Sequence, residues 1–114
     1  MQQNRISRHE YVRRLVDAYR TTPGTHGNVR RADRMLAEKL YDQGVPLTAA
    51  ENALVLATAR RLLRAEGAPP LNPVRSLHYF RANIDEVMLL DVSADYYHYL
   101  RWKIAKFKHE KIEQ

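Results

Sequence analysis

Apolar residues recur at three- and four-residue spacing along most of the chain, the pattern of amphipathic helices. It is clearest in two adjoining stretches. Over residues 30–44, Ala32, Met35, Leu36, Leu40 and Gln43 share one face. Gly44 follows the last turn as a left-handed cap, and Pro46 forbids continuation. Thr48 and Glu51 then form a T-x-x-E capping box that starts a new helix. This helix is expected over about 48–66, stopping before Gly67, Pro69 and Pro70. Val55, Leu56, Ala59, Leu62 and Leu63 make its broad apolar side, Leu54 lies outside that side, and Ala53 and Ala57 form a small-residue seam. A helix apolar over so much of its circumference is buried among neighbours. It is expected at the centre of a bundle, with Arg60, Arg61 and Arg64 emerging at its C-terminal end, where cations suit the helix dipole.

The flanking patterns supply the remaining elements. Residues 1–6 form a polar lead expected to be disordered. Ser7 and Glu10 make another capping box, opening a helix from about Arg8 to Arg20 with Tyr11, Val12, Leu15, Ala18 and Tyr19 inward. The segment TTPGTHGN reads as a loop, with Asn28 capping the next helix. After EGAPP, Asn72-Pro73 reads as an N-cap and first-turn proline of a fourth helix, with Leu77, Phe80, Ile84, Val87 and Met88 on its stripe. Ser93 caps a fifth, whose core side is Tyr96, Tyr97, Leu100, Ile104 and Phe107. A second face of that helix carries Tyr99, Trp102 and Lys106. Residues 108–114 form a basic tail expected to fray. The expected fold is an all-α bundle of about five helices in a single domain, 1–114.

Composition narrows the function. The 114 residues carry a formal charge of +6 and no cysteine, so no disulfide framework or thiolate metal site is expected. No signal-peptide pattern and no apolar run long enough to cross a bilayer is present in the sequence, so the expected location is cytoplasmic, without a membrane partner. His9, His26, His78, His98 and His109 form no close metal-binding pair. Asp85 and Glu86 are helix neighbours that do not face each other, and Asp91 and Asp95 bracket a helix start. Neither catalysis, a metal nor a cofactor is expected.

A basic balance is an argument about polyanionic partners. The candidate phosphate contacts are Arg13, Arg20, Arg30, Arg31, Arg34, Arg60, Arg61 and Arg64. The loop of residues 21–28, with arginines on both sides, is a further candidate phosphate site, although it lacks the order of a P-loop. Tyr99 and Trp102, interleaved with lysines such as Lys106, suit stacking of bases beside phosphate neutralisation. They equally suit a protein interface, where Trp and Tyr are anchors. A helix-turn-helix reading of residues 31–66 would need Asn52 to read base edges near Thr48.

The stretch LAEKLYDQGVPLTAAENALVLATARR, followed by SLHYFRANIDEV, resembles the helical DnaD-type domain of bacterial replication-initiation and primosome proteins. The resemblance covers about half the chain. It implies an Ala-rich helix after a glycine turn, then a helix opening on a tyrosine-centred motif that contributes to single-stranded DNA binding. Tyr79 and Phe80 match the opening of that motif. Asn83 stands where an apolar residue is usual and Val87 where an aromatic is usual. In character the chain is also similar to small bacterial proteins carried near mobile elements. The expected function is a non-enzymatic module that binds nucleic acid, DNA rather than RNA, inside a replication, recombination or defence assembly. The alternative is a protein-interaction adaptor that uses the Tyr99/Trp102 face.

Overall fold

The helix that follows Pro46 lies at the centre of the molecule, as its all-round apolar pattern requires. In the computed structural model the elements run α1 (Arg8–Arg20), α2 (Arg31–Asp42), α3 (Leu47–Leu62), a 3-10 turn (Leu77–Phe80), α4 (Arg81–Leu89) and α5 (Ala94–Glu113). The structure describes residues 6–64, 67–90 and 92–113, with side chains through 108. The expected lead before Ile6, residues 65 and 66, Asp91 and the side chains of the tail, His109 included, lie outside the described residues; α3 itself ends at Leu62, short of the expected 66. The chain is an all-α single-domain bundle. Helices α1, α4 and α5 and the 3-10 turn all pack on α3, and α2 packs on α1 and the turn. Ala50, Ala53 and Ala57 of α3 are buried, and their small side chains let the neighbouring helices approach closely.

Several local signals act as expected. Ser7 Oγ accepts from the Glu10 amide at 3.0 Å, capping α1. Gly44, at φ +80°, ends α2 in a Schellman motif: Val45 N–H donates to the Leu40 carbonyl and Gly44 N–H to that of Tyr41. Arg8 joins α1 to α2 by a two-pronged bond to Asp42 and an ion pair to Glu38. The Tyr11 ring meets Tyr41 edge-on at 5.3 Å. The hydroxyls of Tyr11 and Tyr19 are buried without a hydrogen-bond partner among the described residues, and burial raises both pKa values, so both stay protonated.

Elsewhere tertiary contacts override the pattern. The buried face of α2 is Asp33, Leu36, Ala37 and Leu40, whereas Ala32, Met35 and Gln43 are exposed. Asp33 turns inward, where its carboxylate accepts from two backbone amides, one buried and one part-buried. Oδ2 accepts from Arg30 N–H at 2.9 Å, closing the first turn of α2 in place of the expected cap, Asn28. Oδ1 accepts from Leu77 N–H at 2.8 Å, across 44 residues. That bond fixes where the fourth helical segment begins. Asn72-Pro73 is therefore not its cap. Residues 67–76 are non-helical, Val74 is buried against the first loop, and the segment starts as a 3-10 turn at Leu77. Met88 of α4 is half-exposed. Helix α3 begins two residues earlier than its capping-box pattern implies, with Pro46 rather than Thr48 as N-cap and no side-chain cap bond. Leu54 is buried and Leu63 exposed, the reverse of the helical-wheel expectation, because partners surround α3 on several sides. On α5, Tyr97, Leu100 and Ile104 are buried and Phe107 is half-buried, but Tyr96 is exposed.

Asp33→Ala leaves two amides without their acceptor. Its expected cost is about 2–4 kcal/mol, because both hydrogen bonds are made by a carboxylate and the Leu77 amide is left buried without an acceptor. Urea denaturation reads this as a lowered midpoint. A loss of less than about 1 kcal/mol would show that the 33–77 bond does not hold the turn in place.

Candidate nucleic-acid interface

The loop after α1 and the linker before the 3-10 turn are far apart in sequence but adjacent in space. Gly24, at φ +90°, adopts a backbone that L-residues disfavour, and its carbonyl accepts from Val74 N–H at 2.7 Å. His26 N–H donates to the Val74 carbonyl at 3.0 Å, completing a parallel bridge between Thr25 and Val74. Arg75 is the next residue, and Leu77, two further on, is bonded to Asp33. The backbone of Arg75 is therefore held between the loop at His26 and the N-terminus of α2, which carries Arg30, Arg31 and Arg34. All four arginines are exposed.

Their charges are left available. Among the described residues no carboxylate lies within ion-pair distance of Arg31, Arg34 or Arg75. Asp33, the nearest acid in sequence, has both oxygens turned to backbone amides. Arg30 approaches His26 Nε2 at 3.5 Å, and His26 Nδ1 accepts from the Asn28 amide. In the loop itself the amides of Thr22, Thr25, His26 and Asn28 are spent within the fold, so few are left for an anion beside the arginine side chains.

The other candidate arginines are engaged. Arg13 pairs with Glu10 and Asp17, and Arg20 with Asp17. Arg60 grips both carboxylate oxygens of Glu86 at 2.8 and 2.6 Å, joining α3 to α4. That hydrogen bonding holds the Glu86 carboxyl below the usual carboxylate range. Arg61 donates to the Tyr79 hydroxyl at 3.0 Å and the Asn72 carbonyl at 2.7 Å, with its guanidinium 5.3 Å from the Tyr79 ring centroid. Arg64 donates to the Pro69 carbonyl at 2.7 Å. These three guanidiniums brace α3 against α4 and the linker. Of the residues that carry the family resemblance, Phe80 is buried and Tyr79 is the half-exposed partner of Arg61.

The second face of α5 is exposed as expected. Trp102 is 58% exposed and Tyr99 49%, their rings 6.2 Å apart and tilted by 31°. Lys106 lies 5.2 Å from the Trp102 ring centroid, and Lys103 lies 5.7 Å from that of Tyr99. Leu63 and Phe107 complete a shallow hollow with them. The structure thus places the named residues in two groups, one on α2 and one on α5. Asn52 is half-buried and accepts from Arg101 of α5 at 3.0 Å. Because α3 is packed by α1, α4 and α5, it is not free to enter a DNA groove.

Sequence reasoning missed Arg75. It stands in a proline-rich linker, and only the pairing of Val74 with the first loop brings it to α2. Lys103 was legible only as a flank of the aromatic face. Among the described residues no group of three or more His, Asp or Glu is placed to hold a metal ion, and no helix is long and apolar enough to cross a membrane. No family model matches the chain, and neither a curated protein nor a solved structure matches it.

The two kinds of arginine separate by thermal denaturation. Arg61→Ala removes contacts to three groups and is expected to cost about 1–2 kcal/mol, or roughly 4–8 °C in Tm. Arg31→Ala and Arg34→Ala are each expected to stay within about 0.5 kcal/mol of the parent. Equal losses at Arg61 and Arg31 would contradict the division into bracing and available charges.

Proposed function

We propose that the protein binds nucleic acid through its backbone, without chemistry of its own, as a subunit of a larger DNA-handling assembly. The observation that carries this reading is the cluster of Arg30, Arg31, Arg34 and Arg75. The 25–74 bridge and the 33–77 bond hold the Arg75 backbone near the N-terminus of α2, and Arg31, Arg34 and Arg75 lack acidic partners among the described residues, while Arg8, Arg13, Arg20, Arg60 and Arg81 are paired. Surface ion pairs lower the charge available to an incoming phosphate, so unpaired arginines close together are the stronger electrostatic footprint. The positive end of the α2 dipole adds to the same field. Tyr99 and Trp102 offer a second contact, on which bases stack beside Lys103 and Lys106.

The test is fluorescence anisotropy with labelled single-stranded DNA, duplex DNA and RNA at low and near-physiological salt. Binding that persists at the higher salt and prefers one form supports the proposal. Replacing Arg31, Arg34 and Arg75 together by alanine is expected to weaken affinity by about 100-fold at low salt. It should also flatten the log–log salt dependence by about 2–3, close to one per lost phosphate contact. No binding, or equal binding to every polyanion that vanishes with modest salt, would sink the proposal.

The exposure of Trp102 and Tyr99 beside Leu63 and Phe107 favours a second reading, a protein-interaction adaptor. Exposed aromatics of this size are typical anchors. On that reading Trp102→Ala disrupts a complex that survives high salt, at a cost of about 2 kcal/mol or more, while Arg31→Ala leaves it intact. Calorimetry or pull-down against the candidate assembly's subunits distinguishes the two, since a salt-tolerant complex indifferent to Trp102→Ala would exclude the adaptor.

A further inference from the structure

We infer that a strand bound at the N-terminus of α2 continues into the groove between α2 and the 3-10 turn, where Met35 and Lys39 are contact residues alongside Arg31. This rests on the nucleic-acid reading above and extends its site. The groove has a volume of about 490 Å³ and is lined by Ala32, Met35, Leu36, Lys39, His78 and Arg81. Its floor contains Ala32 and Met35, which helical periodicity assigns to the core. The inward turn of Asp33 leaves them outside, and Met35 is 56% exposed.

Charge complementarity identifies the occupant. The acids of α2 are kept away from the groove: Asp33 faces inward, and Glu38 and Asp42 are paired with Arg8 of α1. What α2 presents here is apolar or cationic. Arg31, Met35 and Lys39 recur at four-residue intervals, so they run along one face over about 12 Å of helix. Arg81 and His78 form the opposite wall. Arg81 shares its charge with Asp85 at 3.6 Å and donates to Gln43 at 3.3 Å, which leaves Lys39 as the stronger rim cation. A nucleic-acid strand matches this order, with phosphates for the rim and flat sugar and base surfaces for the floor. The flexible, polarizable thioether of Met35 is suited to packing on such surfaces. Arg31 lies one turn before Met35 on the same face of α2, so the cluster and the groove adjoin there.

The test is anisotropy of a labelled oligonucleotide with Met35→Glu, Lys39→Glu and a control, Arg14→Glu. Arg14 is exposed on α1 and has no ion pair among the described residues, and its reversal changes net charge as much as Lys39→Glu does, but away from the groove lining. Met35 and Lys39 are exposed too, and circular dichroism checks that each variant is folded. Met35→Glu and Lys39→Glu are each expected to weaken binding about 10-fold or more, and Arg14→Glu less than about 3-fold. Met35→Ser, which adds no charge, is expected to weaken it about 3-fold. If the groove variants lose no more than Arg14→Glu, the inference fails while the proposed function stands. Absence of binding by the unmodified protein overturns both. If polyglutamate displaces the oligonucleotide equally well at matched charge, the groove is a site for an acidic protein segment, and the inference is likewise overturned.

Discussion

The arrangement of this small bundle turns on one buried carboxylate. Asp33 is wholly removed from solvent, a position that costs a charged group heavily unless hydrogen bonds replace its water. Here each oxygen accepts a backbone amide, one from its own helix and one from Leu77. The positive end of the α2 dipole stabilises the same charge. The carboxylate thereby caps one helix and sets the start of another helical segment. Between those points the chain has little freedom: Val74 must lie against Gly24 and His26, and Arg75 must emerge beside α2.

That constraint explains how a chain rich in arginine divides its charges. The guanidiniums near the end of α3 are used to brace the long non-helical linker and α4, through Glu86, Tyr79 and the carbonyls of Asn72 and Pro69. The linker contains two prolines in succession and few buried side chains, so it cannot hold itself in place by packing. Arg61 and Arg64 take over that task through its carbonyls. The arginines around the α2 N-terminus have no such duty, because Asp33 already satisfies the local backbone. They are left as an electrostatic surface, and the groove beyond them is left with an apolar floor. Stability and the proposed binding are thus assigned to different members of one residue type.

The helical architecture was legible because its signals are local. The Ser7 cap, the Gly44 stop and the proline breaks act within a few residues, and the all-round apolar pattern of α3 correctly predicts a central helix. What could not be read depends on partners distant in sequence. Nothing near Asp33 in the sequence marks it as buried, because the amide that draws it inward, that of Leu77, lies 44 residues away. Asn72-Pro73 has the form of a helix start, yet the bridge to Thr25 keeps that stretch extended. Met35 has core spacing but loses its place to an aspartate. The candidate site was legible in part for the same reason. Arg30, Arg31 and Arg34 are sequence neighbours, and the aromatic face of α5 follows from helical period alone. The exclusion of Arg60, Arg61 and Arg64 and the addition of Arg75 required the tertiary structure.

On the proposed reading, the Asp33-anchored junction of α2 with the linker forms the nucleic-acid surface. A backbone-amide NMR titration with a short oligonucleotide tests it most directly, because each amide reports its own surroundings. Shift changes are expected to concentrate at residues 30–39 and 74–78, with a smaller set around Tyr99 and Trp102. Changes confined to α5, or none at all at saturating oligonucleotide, would contradict it.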